Sequence, residues 1–122
     1  MTNPISPFSN ELKRVIRAFG YSIAGIKAGW GEAAFRTEII ITAFALPFAF
    51  IITQDTSERA ILIGSLFLVL IVELLNTAVE VAINRISTEI HPLSKKAKDI
   101  ASGAVLLSLA NALIIWLVVL WN

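Results

Sequence analysis

Apolar positions in this chain change their period once, near residue 30. Leu12, Val15, Ile16, Phe19, Ile23, Ile26 and Trp30 recur at helical spacing and fill one face about 100° wide. Lys13, Arg14, Arg17 and Tyr21 take the opposite face, with Lys27 at its edge. The pattern predicts a basic amphipathic helix over 9–29, of the kind that lies on an anionic bilayer surface. Gly20, Gly25, Gly29 and Gly31 are expected to let it bend or turn into the membrane. Beyond it the one-sided pattern gives way to long apolar runs, predicting transmembrane helices over 33–53, 60–86 and 99–121. Ile39–Ile52 alone is too short for a span of about 20 residues, so the first helix must begin near Ala33, with Arg36 and Glu38 in its first turns and Glu32 just ahead of them. Gln54–Arg59 reads as a short polar turn, and Ser87–Lys98 as a second loop in which His91 is simply solvated.

Composition agrees with that pattern. With 122 residues, 57% hydrophobic and 16% charged, the chain suits one small all-α membrane domain and not an ordinary soluble protein. No cysteine is present, which excludes a disulfide framework and a thiolate metal site. Met1–Asn10 is polar, holds two prolines and lacks the apolar core of a signal peptide. The net charge of +1 gives no sign of a nucleic-acid partner. Its distribution is more telling. Lys13, Arg14, Arg17 and Lys27 precede the first span, and Arg85, Lys95, Lys96 and Lys98 flank the second loop, against Arg59 alone in the first turn. The positive-inside rule puts the N-terminus and the second loop in the cytoplasm.

Within the second span, Glu73, Asn76 and Glu80 fall within about 60° of one another on a helical wheel, in a segment otherwise apolar apart from Thr77. Ionisable groups inside a span are costly and mark a functional site by default. Asn76 alone could equally serve a helix–helix hydrogen bond. Counted from the outer ends of the spans, Glu32, Glu80 and Asp99 reach one level, with Glu73 about 10 Å deeper. Acids at the interface can hold a hard cation such as magnesium, which takes few carboxylates and completes its shell with water and phosphate oxygens. A deeper acid can meet a group on a lipid. The GxxxxGK[ST] phosphate loop is absent, so nucleotide binding would need another design. Near the start of the last span, Ala101, Ser102, Gly103 and Ala104 suit close helix contact.

Glu73-Leu-Leu-Asn76-Thr-Ala-Val-Glu80 closely resembles the signature of the small prokaryotic integral-membrane diacylglycerol kinases. Gly20-Tyr21-Ser22, Trp30-Gly-Glu32-Ala-Ala-Phe35-Arg36-Thr-Glu38 and Ala97-Lys98-Asp99 extend the likeness over nearly the whole chain. The resemblance implies a homotrimer with shared active sites in the bacterial inner (cytoplasmic) membrane. Each subunit would have a surface helix and three spans. The implied reaction moves the γ-phosphate of ATP, with Mg2+, to the hydroxyl of diacylglycerol, giving phosphatidic acid. It also implies Glu73 as general base and Glu32 and Glu80 as metal ligands. Arg14, Tyr21, Glu32, Asn76, Glu80, Lys98 and Asp99 are implied around ATP, and Arg17, Glu38, Glu73 and Ser102 around the lipid substrate. One position departs: where the family often has aspartate one turn past the second glutamate, this chain has Asn84. An amide there still accepts a hydrogen bond but carries no charge.

Two other readings compete. A kinase acting on undecaprenol would use the same catalytic string, since both substrates offer an interfacial hydroxyl. The Glu-Ala-Ala-Phe-Arg-x-Glu stretch favours the diacylglycerol branch. A small proton-coupled multidrug exporter would also place a glutamate in a short helical chain, but three spans with Lys98-Asp99 at the mouth favour the kinase.

Overall fold

The computed structural model describes residues 6–122; the first half of the polar Met1–Asn10 segment lies outside the described residues. Four helices follow in order: α1 (Pro7–Gly29), α2 (Ala33–Ile52), α3 (Thr56–Ile86) and α4 (Pro92–Trp121). The last three are long and apolar enough to cross a membrane, as expected of an all-α membrane protein. The central helix, α3, packs most extensively on α4, next on α2, and only lightly on α1.

Local chemistry sets the helix starts. Ser6 accepts from the Ser9 amide at 3.2 Å and Pro7 follows in the first turn, so α1 begins two residues earlier than the apolar pattern suggested. Asp55 caps α3 by accepting from the Glu58 amide at 2.9 Å. The expected polar turn Gln54–Arg59 is therefore shorter, because Thr56 already belongs to the helix. The second loop needs a larger correction. His91 Nδ1 accepts from the Leu93 amide at 3.1 Å with Pro92 behind it, so α4 starts at Pro92 and not near Asp99. His91 is a helix cap, and Lys95, Lys96 and Lys98 stand on a helix. With 31 and 30 residues, α3 and α4 extend about 46 and 45 Å. Both exceed a hydrocarbon core of about 30 Å, so an end of each projects past it.

The turn between α2 and α3 is tied by one side chain. Arg59 donates to the carbonyls of Thr53 (2.8 Å) and Phe50 (3.0 Å) and to Gln54 Oε1 (3.1 Å), and its guanidinium lies 5.0 Å from the Phe50 ring centroid. Those carbonyls belong to the end of α2, where a helix leaves acceptors unpaired and favours a cation. Thr53 also donates to Glu58. Further along, Trp116 Nε1 donates across from α4 to Ser65 Oγ at 3.1 Å, and Ser65 donates to the Leu62 carbonyl at 2.6 Å. The α1–α2 corner forms at Trp30–Glu32, where Arg36 donates to the Trp30 carbonyl at 2.8 Å. Gly29 ends α1 against Leu74 and Phe35; a β-carbon there would collide with the Leu74 side chain. The helix stays continuous through Gly20 and Gly25, and the chain turns only after Gly29, at the corner that includes Gly31.

Candidate functional site

The buried residues of α3 are Leu62, Ser65, Leu66, Val69 and Glu73. They recur at helical spacing on one azimuth, and Asn76 and Glu80 continue the same line. The seam by which α3 packs into the chain thus turns from apolar to acidic partway along. Glu73 stands at the change, only 6% exposed. Among the described residues no side chain hydrogen-bonds its carboxylate. One turn on, Asn76 Oδ1 is buried with no hydrogen-bond partner. An unmet buried acceptor costs about 1–3 kcal/mol, and none of the described residues meets this one. A cavity of about 450 Å³ between α3 and α4 adjoins it, lined by Val72, Leu75, Ala97 and Ala101 among others. The small residues on α4 leave the space that an amide or a ligand group can reach.

A second cavity, about 270 Å³, opens where α3 hands over to α4. Asn84, Lys95, Lys98 and Asp99 line it together with the connecting loop, including Glu89, Ile90 and His91. Lys98 Nζ donates to Asn84 Oδ1 at 2.9 Å, and Lys95 pairs with Asp99 at 2.5 Å. Sequence reasoning missed these loop residues. A signal was available in the His91-Pro92 pair, a cap followed by proline at the first helical position, which would have narrowed the loop to five residues between the ends of α3 and α4.

The remaining expected residues are spread along the chain. Glu32 occupies the capping position of α2, exposed and without a side-chain cap bond. Glu80 is exposed on α3, Ser102 is exposed on α4 a turn past Lys98, and Glu38 is half-buried. Arg14 pairs with Glu11 at 2.6 Å on the exposed α1. No hydrogen bond or ion pair among the described residues joins Arg14, Arg17 or Tyr21 to the acidic stripe or to Lys98. Nor do three or more histidine, aspartate or glutamate side chains converge into a metal cage among those residues.

A long central helix with an acidic seam, flanked by two further spans and led by a basic amphipathic helix, defines a small polytopic membrane protein with a polar site at one end. The prokaryotic diacylglycerol kinase family model matches residues 20–120. The chain is 44% identical over 118 residues to a diacylglycerol kinase of Pseudomonas aeruginosa, covering 94% of this chain and 96% of that one. It is 44% identical over 110 residues to the Escherichia coli K12 diacylglycerol kinase (89% and 90%), and 40% identical over 113 residues to that of Helicobacter pylori J99 (92% and 88%). The chain belongs to the prokaryotic diacylglycerol kinase family.

Proposed function

We propose that this chain transfers the γ-phosphate of ATP to the free hydroxyl of diacylglycerol, giving phosphatidic acid and ADP, at the cytoplasmic face of the bacterial inner membrane. The observation that carries the reading is the buried residue Glu73 at the point where the α3 seam turns acidic, within a chain of this family. The four basic residues ahead of α2 and the four around the second loop support a cytoplasmic N-terminus.

Glu73, deeper than Glu80 by two turns of α3, accepts the proton of the lipid hydroxyl as its oxygen attacks the γ-phosphorus. The new oxygen–phosphorus bond forms as the bond to the β-phosphate oxygen breaks, and ADP leaves. Asn76 supplies its unmet carbonyl oxygen and its amide donors to groups held between the two glutamates. Lys98, with Asp99 beside it, meets the nucleotide at the α3–α4 mouth, and the loop from Glu89 to His91 borders the same cavity. Arg14 and Tyr21 on α1 close over the nucleotide, while Arg17, Glu38 and Ser102 bear on the lipid. Phosphoryl transfer needs in-line positioning and charge neutralisation more than covalent chemistry, so a small site suffices.

Glu32 and Glu80 are hard oxygen donors, and with no cage of three ligating side chains among the described residues they fit magnesium brought in on ATP. Bound there, the ion would neutralise charge on the β- and γ-phosphate oxygens. Among the described residues, no side chain hydrogen-bonds Glu73 or Asn76 Oδ1, which supports a homotrimer whose sites form between subunits.

Phosphate transfer from γ-labelled ATP, measured in parallel on diacylglycerol and on undecaprenol in mixed micelles, tests the substrate. Labelled phosphatidic acid should dominate. Preferential labelling of undecaprenol would move the chain to the isoprenoid-alcohol reading, and labelling of neither would refute the kinase reading.

A further inference from the structure

Two lysines reach the cavity at the α3–α4 mouth, and the structure treats them differently. Lys95 is spent in an ion pair with Asp99, both exposed. Lys98 is half-buried one turn along the same helix, and its ammonium is held by the neutral Asn84 side chain at 2.9 Å. Among the described residues it has no carboxylate within ion-pair distance. The remaining charged or titratable linings of the cavity are Glu89 and His91, on the loop. A neutral acceptor fixes the direction of an ammonium without cancelling its charge. Asn84 is on α3 and Lys98 on α4, so the bond also sets the register between the two helices where they border the cavity.

We propose that Asn84 is a positioning residue for nucleotide binding: its amide oxygen aims the Lys98 ammonium into the mouth cavity while leaving that ammonium's full positive charge for the phosphates. The inference rests on the reading that Lys98 contacts the nucleotide. It makes the uncharged side chain at position 84 a determinant of nucleotide affinity, distinct from the acids that handle the metal and the hydroxyl proton. Asn84 touches no reacting atom in this scheme. Its effect therefore falls on nucleotide binding and not on the chemical step.

The test measures ATP and diacylglycerol KM, kcat, and binding of magnesium-ADP by calorimetry for the full-length membrane protein. Asn84→Asp keeps an acceptor for Lys98 but adds a charge, and should raise the ATP KM and weaken magnesium-ADP binding about tenfold, as expected for one unit charge a few ångströms from a phosphate near the surface. Asn84→Ala, which frees the ammonium without neutralising it, should raise the ATP KM by a smaller factor. The diacylglycerol KM should hold within twofold, and kcat should change far less than the ATP KM. In a Lys98→Ala background, Asn84→Asp should lose most of its effect on magnesium-ADP binding, because the two act through one contact. Unchanged nucleotide binding in both Asn84 variants, or an equal Asn84→Asp effect with and without Lys98, would overturn the proposal. If Lys98→Ala itself leaves nucleotide binding unchanged, the prior reading of Lys98 fails instead, and this proposal with it.

Discussion

At the Thr56 end of α3 the polar groups are answered within the chain, while along the stripe from Glu73 to Glu80 they are not. Arg59 meets two carbonyls and Gln54, Asp55 caps the helix, and Trp116 donates across from α4 to Ser65, which itself donates to the Leu62 carbonyl. Further along the same helix, Glu73 is a buried residue with no side-chain hydrogen bond among the described residues, and Asn76 Oδ1 is buried with no partner among them. Hydrocarbon offers nothing to such groups. Within the described residues, a dense set of polar contacts at one end and the open Asn76 Oδ1 at the other separate holding the fold together from binding something else. The hairpin end stabilises, and in the proposed reading the acidic end serves substrate, metal and neighbouring subunit.

That division predicts opposite outcomes for substitutions at the two ends. After the Glu73 carboxylate itself, the next contrast belongs to Glu32 and Glu80, the proposed metal ligands. Glu32→Gln and Glu80→Gln should each lower activity at a fixed magnesium concentration and shift the magnesium requirement upward by about tenfold or more, with melting temperature in detergent unchanged. Unaltered magnesium dependence in both variants would remove these two from the ion. Arg59→Ala should do the reverse. Loss of its hydrogen bonds to the α2 carbonyls should cost about 1–3 kcal/mol, seen as a lower unfolding midpoint, while turnover per folded protein stays normal. An unchanged midpoint would show that the hairpin does not carry the stability assigned to it. A smaller contrast lies in α1. Gly25 has open space around it whereas Gly29 sits against Leu74 and Phe35. Gly25→Ala should therefore stabilise by up to about 1 kcal/mol through helix propensity, and Gly29→Ala should forfeit that gain through collision. Equal effects on thermal unfolding would mean that α1 does not dock on α3 through Gly29.

The four helices were legible because each is written in a single period. The stripe Leu12 to Trp30 and the three apolar runs left little choice of architecture, and the Glu73–Asn76–Glu80 line was visible from spacing alone. What stayed hidden depends on capping and on packing between helices. The early start of α4 turns on His91 Nδ1 accepting an amide, a histidine role that hydropathy does not register. The Asn84–Lys98 bond joins α3 to α4 between residues 14 apart in sequence, so the two could be paired only once both helices were in place. The alignment of the acidic stripe with the apolar seam Leu62–Val69 follows from helical periodicity. That this face is the buried one is set by contact with α2 and α4, which the sequence leaves open.

The most direct test places Glu73→Gln beside Arg59→Ala and measures γ-phosphate transfer to diacylglycerol per folded protein, together with thermal unfolding of each. Glutamine keeps the shape of Glu73 but cannot serve as a general base, so transfer should fall by about 10²–10⁴. Its unfolding midpoint should be equal to or above that of the parent, since burying an amide costs less than burying a charge. Arg59→Ala should keep its turnover and lose stability. Near-normal transfer by Glu73→Gln would contradict the central claim that the carboxylate left open within the α3 seam is the base of the reaction.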